Sequence, residues 1–385
     1  MDGVPLSSLS GIPGLPVPGI LGGVLRGRIP GAARRILGHP PGRHPQHLPQ
    51  LGLSPAPADL LGVQVRERRE ELDELARGLA RTPKTVSSRY FYDERGSELF
   101  EAITRLPEYY LTRAERGLLT RIARGLVGEV QPRSLVEFGA GSARKTRILL
   151  SAMTEGGRAA VYIPVDVSED FLFDTARRLR DEYPTLKVRP EVADMTRGLR
   201  PAARPPVPCI YTLLGSTIGN FTHEQAVRMV AGLSSGMRDG DVFLLGADLQ
   251  PGPGKSLESL EAAYNDAAGV TVEFNRNLLR VLNARFGTDF EPSRFRHRAW
   301  YDAANARIEM HLEALSAHAV ALPGGPVISF REGETLRTEI SCKYNRAAVS
   351  SLLEQAGLEM VRWWTDEGCR FALALGAVTS GGGSP

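Results

Sequence analysis

Ser134-Leu-Val-Glu-Phe-Gly-Ala-Gly-Ser-Ala-Arg-Lys-Thr-Arg147 is the stretch on which the fold turns. Leu135, Val136 and Phe138 read as the end of a buried strand, Gly139-Ala-Gly141 as the turn after it, and Lys145-Thr-Arg-Ile-Leu-Leu150 as the opening of a helix. A strand passing through a glycine turn into a helix is how α/β folds offer backbone to a nucleotide-like ligand. Gly139 and Gly141 remove the Cβ atoms that would hold such a ligand away from the chain. Glu137 places a carboxylate inside the end of the strand, where it needs a partner.

The spacing narrows the ligand. The dinucleotide fingerprint G-x-G-x-x-G requires a third glycine where Arg144 stands, and the phosphate-binding G-x-x-x-x-G-K-[ST] has a different spacing. What remains, an acid followed by x-G-x-G, is the pattern of class I S-adenosylmethionine (SAM) methyltransferases. An ordinary tight strand–helix turn carries the same letters.

Working outward, strands are expected at 134–138, 160–166, 186–194, 209–214 and 241–248, with helices at 144–154, 169–183 and 223–235 between them. Ser168 and Thr222 are candidate caps for the second and third of these helices. Such alternation implies a parallel, doubly wound sheet that binds ligands at the C-terminal ends of its strands. Asp166 and Asp194 end two successive strands, where they could accept from ribose hydroxyls and from an adenine amino group; each could equally be a turn or cap residue.

At Pro251-Gly-Pro-Gly254 the alternation stops. Residues 255–284 read as helical with a polar interior, and 298–345 as short antiparallel strands. Asn345 then caps a helix over 346–356, Gly357 ends it, and Phe371-Ala-Leu-Ala-Leu-Gly-Ala-Val378 closes the sheet. Upstream, Leu72, Leu75 and Leu79 have helical spacing, and Thr112 is the candidate cap of a helix from Ala114 to Gly128. Residues 1–57 hold eleven of the 27 prolines and five arginines against one acid, too little apolar surface to order a chain, so a disordered tail is expected there. The organisation expected is a tail at 1–57, a substrate-binding domain from 58–115 and an insertion at 253–345, and a SAM-binding domain from 116–252 and 346–385. The fold class is α/β, a Rossmann-like doubly wound sheet with a second α+β domain.

Composition bounds the partners. A net charge of +3 on 385 residues offers no electrostatic case for nucleic acid. Cys209, Cys342 and Cys369 lie far apart, which suggests a reducing, cytoplasmic setting without a zinc or other metal site. No apolar run reaches the ~18 residues of a membrane span. A monomer acting on a small molecule is expected.

Longer motifs are more specific. Arg89-Tyr-Phe-Tyr-Asp-Glu-Arg-Gly-Ser-Glu-Leu-Phe100, Thr104-Arg-Leu-Pro-Glu-Tyr-Tyr110, Leu214-Gly-Ser-Thr-Ile-Gly-Asn220, Ala263-Tyr-Asn-Asp-Ala-Ala-Gly-Val270 and Leu336-Arg-Thr-Glu-Ile-Ser341 stand in order. Together they resemble the histidine-specific Nα-methyltransferases of ergothioneine biosynthesis, over residues 60–380. The resemblance implies conversion of L-histidine to its trimethylammonium betaine, hercynine, with three SAM. It implies that Gly139, Gly141 and Lys145, with Glu137, form the cofactor loop, that Asp166 takes the ribose and that Asp194 takes the adenine. It implies that Asn220 and Tyr264 hold the substrate carboxylate, that Gly215 lies near both ligands, and that Tyr92 and Tyr109 are the tyrosines of the amino-acid pocket. Met310, Glu339 and Ser341 would recognise the imidazole, and Tyr92 and Asn220 would lie closest to the chemistry. Ala143-Arg144 stand where the family loop has smaller residues, and the tail is not covered.

Elementary chemistry fits these roles. Glu339 and Ser341 alternate on a strand and so share a face, where a carboxylate and a hydroxyl can satisfy two ring nitrogens. Glu339 could instead pair with Arg337 or Lys343 on the surface, and one of Tyr109 and Tyr110 is expected to be core packing. Methyl transfer needs a neutral amine in line with an electrophilic carbon, and alignment can supply up to ~7–11 kcal/mol. No strong base stands out, so a tyrosine hydroxyl or water would relay the proton. The alternatives are a relative acting on tryptophan or a modified histidine, a non-catalytic SAM-binding scaffold, and an NAD-dependent oxidoreductase, the last undercut by Arg144.

Overall fold

The computed structural model describes residues 57–195 and 198–378. The tail expected at 1–57 therefore lies outside the described residues, but for Pro57. In chain order, α1 (Pro57–Leu79), β1 (Lys84–Thr85), α2 (Glu94–Ile103) and α3 (Leu111–Val130) come first. The glycine-loop region holds β2 (Ser134–Phe138), α4 (Arg147–Thr154), β3 (Ala160–Asp166), α5 (Glu169–Glu182), β4 (Leu186–Val188), β5 (Glu191–Val192), β6 (Cys209–Leu213), α6 (His223–Ser234) and β7 (Val242–Asp248). The different block contains α7 (Leu257–Ala262), α8 (Val270–Phe286), β8 (Phe295–Asp302), β9 (Arg307–Ala314), β10 (His318–Ala321), β11 (Val327–Phe330) and β12 (Thr335–Cys342). α9 (Arg346–Gln355), β13 (Leu358–Thr365) and β14 (Phe371–Val378) end the described chain.

Every residue of β2, β6 and β7 is buried, as befits strands covered on both faces. They lie in the middle of one sheet of order β13-β14-β7-β6-β2-β3-β4, with β5 also beside β3. β7, β6, β2, β3 and β4 run parallel, and β14 runs antiparallel to β7 and β13. The chain winds outward from β2 to β4, then crosses back to build β6 and β7 on the other side. That reversal between β2 and β6 makes a topological switch point, so the loops after both strands face one crevice. This is the Rossmann-like α/β fold.

A second sheet has the order β1-β12-β9-β8, with β1 parallel to β12 and the other pairs antiparallel. Residues from before the glycine loop thus share a sheet with residues from after β7. Phe91, just ahead of α2, stacks on Phe274 of α8 at 4.4 Å between ring centroids. Among the described residues no helix is long and apolar enough to cross a membrane, and no group of three His, Cys, Asp or Glu is placed to hold a metal.

Several local expectations change. Thr112 lies inside α3, which begins at Leu111 with no side-chain cap. Ser168 sits at the N-cap of α5, but its hydroxyl donates to the Tyr92 carbonyl at 3.1 Å. The helix read over 255–284 is two, because Asp266 accepts from the Val270 and Thr271 amides (both 2.8 Å) and Gly269 at φ 73° turns the chain into α8. α4 starts at Arg147 rather than 144, since the loop continues through Ala143 at φ 50°. The strand over 186–194 divides around Arg189-Pro190, where proline has no amide to donate. β13 was not legible, because a register shift between Met360 and Arg362 breaks its period of two. Thr222, with Gln225 as a capping box, and Asn345 cap as expected.

Candidate functional site

The glycine loop is held by its own backbone and by Asp166. Gly139 and Ala140 donate to the Val165 carbonyl at 2.8 and 3.2 Å. Asp166 ends β3 and accepts from the Gly141 amide at 2.9 Å and the Ser168 amide at 3.1 Å. Gly139 and Gly141 have φ of 70° and 49°, a region that favours glycine. A Cβ at Gly139 would also stand 3.0 Å from Met195 Cε. The loop therefore stays bare on the side facing the crevice.

Glu137 finds its partners inside the protein. Its two oxygens accept from the Thr146 and Tyr162 hydroxyls, bracing β2 against the loop and β3. Burial pushes its carboxyl up to about 7, against those hydrogen bonds. Lys145 pairs with Glu115 of α3, a side chain with 0% exposure, whose other oxygen accepts from the Gly215 amide at 2.7 Å. Glu115, which the sequence did not single out, thus ties the loop after β2 to the loop after β6. Arg144 points outward, more than half exposed, 3.5 Å from Glu101. Asp194 lies 3.6 Å from Arg89. Glu137, Gly139, Gly141, Lys145, Asp166 and Asp194 all line one cavity.

A second cavity adjoins it, lined by Tyr92, Tyr109, Gly215, Asn220, Tyr264, Met310, Glu339 and Ser341, together with Phe100 and Phe274. Tyr92, Tyr109, Gly215 and Asn220 line both cavities and mark where they meet. Each residue singled out in the sequence is therefore brought to one of two touching chambers. Phe100 and Phe274 were missed; Tyr92 packs against them edge-on at 5.9 and 6.1 Å. Burial, with the nearby Glu339 and Asp166 carboxylates, raises the Tyr92 hydroxyl far above its ordinary range. Tyr92 is thus a neutral phenol near pH 7, able to give or take a hydrogen bond but not to serve as a phenolate base.

The position of Glu339 depends on a β-bulge. On β9, Ile308, Met310 and Leu312 share one face, and Leu336 of β12 pairs with Leu312. Between Arg337 and Glu339 the register slips by one, so Glu339 rather than Thr338 stands opposite Met310, and Ser341 opposite Ile308. The slip turns Glu339 and Ser341 onto the cavity face. Arg337 faces the other way, 3.0 Å from Glu309, and Lys343 pairs with Asp248 at 2.9 Å, so neither gives Glu339 a surface partner. Among the described residues Glu339 makes no hydrogen bond or ion pair. Burial raises its carboxyl to about 7, with Lys343 opposing the shift.

This has a consequence for stability. The unfolded carboxyl titrates near its ordinary value and the folded one near 7, so the folded state binds the extra proton between those values and loses stability as pH rises through them. Glu339→Gln removes the buried charge. We expect the variant to melt at a higher temperature than wild type at pH 8 and at the same temperature near pH 4; equal melting at both would show that Glu339 ionises without cost.

Behind the second cavity lies a buried charged cluster that the sequence did not reveal. Asp248, at the end of β7, accepts from Lys255 at 2.6 Å and from the Tyr110 hydroxyl at 2.9 Å, and forms an ion pair with Lys343 at 2.9 Å. All three charged side chains have no exposure. Of the adjacent tyrosines, Tyr110 serves this cluster and Tyr109 the cavity. Burial lowers the Lys255 ammonium to about 8, with Asp248 resisting. A signal for Lys343 did exist: it continues the face of Glu339 and Ser341 by one more step of two.

Comparison with known proteins adds to this geometry. The family described as histidine-specific methyltransferase, SAM-dependent, matches residues 71–378. A histidine N-alpha-methyltransferase of Mycobacterium tuberculosis is 40% identical over 301 residues, covering 78% of this chain and 92% of its own. Ergothioneine biosynthesis protein 1 of Neurospora crassa is 31% identical over 292 residues, covering 74% of this chain and 32% of its own. Among solved structures, a SAM-dependent methyltransferase of Clostridium acetobutylicum has a TM-score of 0.42 at 11% identity, covering 73% of this chain and 98% of its own.

Proposed function

Because the chain belongs to the family of histidine-specific, SAM-dependent methyltransferases, we propose that it methylates the α-amino group of L-histidine three times to give hercynine, the first step of ergothioneine biosynthesis. The observation that carries this reading is Glu339, a carboxylate with no hydrogen bond or ion pair among the described residues, in a chamber that opens onto the glycine-loop cavity. When bound, SAM supplies an electrophilic methyl carbon on a sulfonium. Asp166 and Asp194 accept from its ribose and adenine, the bare backbone of Gly139 and Gly141 lets it approach, and Lys145 and Glu137 brace the loop through Glu115 and Thr146.

In the adjoining chamber Asn220 and Tyr264 hold the substrate carboxylate, while Glu339 and Ser341 take the two ring nitrogens above Met310. Tyr92 and Asn220, where the chambers meet, orient the amine. Tyr92 accepts its hydrogen bond as a neutral phenol, and the proton leaves by water. Phe100, Tyr109 and Phe274 add aromatic faces that favour a growing cation by roughly 0.5–2 kcal/mol. Two polar groups suit an imidazole better than an indole, which has a single N–H, so tryptophan is the second choice. The division into a SAM-binding part (116–252 and 346–385) and an amino-acid-binding part (58–115 and 253–345) belongs to the same proposal, as does a reducing cytoplasmic setting for the free cysteines.

The test is mass spectrometry of the protein with SAM and an equimolar mixture of the amino acids. Gains of one to three methyl groups on histidine alone are expected. Methylation of tryptophan in preference to histidine, or no transfer, would refute the reading.

A further inference from the structure

Lys343 is fully buried beside the second cavity, where it donates to two hydroxyls and pairs with a carboxylate. An ammonium has three donors and no acceptor. Lys343 Nζ meets three oxygens: Tyr264 Oη at 2.8 Å, Ser341 Oγ at 2.8 Å and Asp248 Oδ2 at 2.9 Å. Each hydroxyl oxygen therefore accepts from Lys343 and must send its own hydrogen elsewhere. The two hydroxyl oxygens lie 2.9 Å apart, and one hydrogen fits between them. The remaining hydrogen cannot point at the ammonium, and what is left to it is the cavity that Tyr264 and Ser341 both line.

We propose that Lys343 is a positioning residue for substrate selection: by filling the rear of the Tyr264–Ser341 pair it commits one hydroxyl hydrogen to the cavity. With substrate in place the Tyr264 hydrogen turns to the substrate's carboxylate, and the chamber presents the ring with an acceptor at Glu339 and a donor at Ser341, neither hydroxyl hydrogen being able to point back at Lys343. A ring with one N–H and one bare nitrogen answers that pattern, and a ring lacking the bare nitrogen leaves a buried donor unpaired, which sites of this kind discriminate strongly against. Asp248 anchors Lys343 in turn, with Lys255 and Tyr110 on its other lone pairs. Without the ammonium, the free hydroxyl hydrogen could turn back toward Asp248 and the polarity of the pair would be lost.

This inference rests on the histidine reading of the cavity, and the experiment separates the two. In the full-length protein, Lys343→Met is assayed with SAM and either L-histidine or the analogue carrying a pyrrole ring, which keeps the N–H and replaces the second nitrogen by carbon. Binding of S-adenosylhomocysteine and the melting temperature are measured beside it. The KM for histidine should rise about tenfold or more, and the preference for histidine over the pyrrole analogue should fall by about tenfold. kcat should change less than KM, and S-adenosylhomocysteine affinity should hold. Lys343→Gln should behave alike, because its amide carbonyl can accept the freed hydrogen, and it carries the test if the Met variant does not fold. Glu339→Ala and Ser341→Ala are run in parallel. If they leave the KM for histidine unchanged, the reading of the cavity fails. If they raise it while both Lys343 variants keep the wild-type preference, this inference alone is overturned.

Discussion

Replacing Glu339 by alanine should cost the protein its grip on histidine and leave its grip on the methyl donor nearly intact. Among the described residues the carboxylate is the one acidic group lining the second cavity, and it makes no hydrogen bond or ion pair there. A hydrogen bond to a charged group contributes about 1.5–3 kcal/mol, which is roughly tenfold to somewhat over a hundredfold in affinity. In the variant a ring N–H would face apolar surface instead, so most of that range should appear as weaker binding. Asp166, Asp194 and the glycine loop line the first cavity and do not touch Glu339, so S-adenosylhomocysteine should bind with an affinity changed by about twofold at most. Titration calorimetry with each ligand measures both numbers in one preparation. Equal weakening of the two would mean that Glu339 supports the fold rather than the amino acid.

The largest effect on stability is expected at Asp248. This carboxylate lies between two ammonium groups with no exposure and accepts a tyrosine hydroxyl as well. Asp248→Ala would leave Lys255 and Lys343 buried without their counter-charge. Removing one partner of a buried ion pair costs about 3–5 kcal/mol, because the remaining charge has neither water nor a partner. Urea denaturation near pH 7 should show a loss of that size. The deficit should shrink as pH rises toward about 8, where Lys255 loses its proton in the wild type as well, and it should level off above that. With the folded Lys255 ammonium titrating below its unfolded value, and lower still once Asp248 is gone, the unfolded state binds more protons there, and the variant's stability recovers with increasing pH. A loss under about 1 kcal/mol near pH 7 would mean that water reaches the cluster and solvates the lysines.

The sites were legible to different depths for physical reasons. Gly139, Gly141 and Asp166 could be found because a strand, a tight turn and a second strand are local patterns, each read over about ten residues. The pocket residues could be found only through long motifs standing in order, since nothing local in Tyr264 or Met310 distinguishes a ligand contact from core. Arg144, which had no evident role, turned out to be a surface partner of Glu101. Thr112 and Ser168 looked like helix-capping side chains, but Thr112 lies inside α3, and Ser168, though at the N-cap position of α5, gives its hydroxyl to a carbonyl of another segment.

The sequence by itself determined that strands and helices alternate into a parallel sheet, that the turn after Phe138 is bare of side chains, and that acids stand at the ends of successive strands. Hydrophobic period and glycine spacing act over short distances along the chain, so they are written in consecutive residues. Tertiary structure alone decided which way Glu339 faces, because a single-residue slip against β9 exchanges the two faces of β12 and leaves no mark in the alternation of residue types. It alone joined Glu115 to the loops after β2 and β6, and Lys343 to Asp248. Charges from distant parts of the chain close in this way only when burial strips away their water, and burial belongs to the folded chain rather than to any stretch of it.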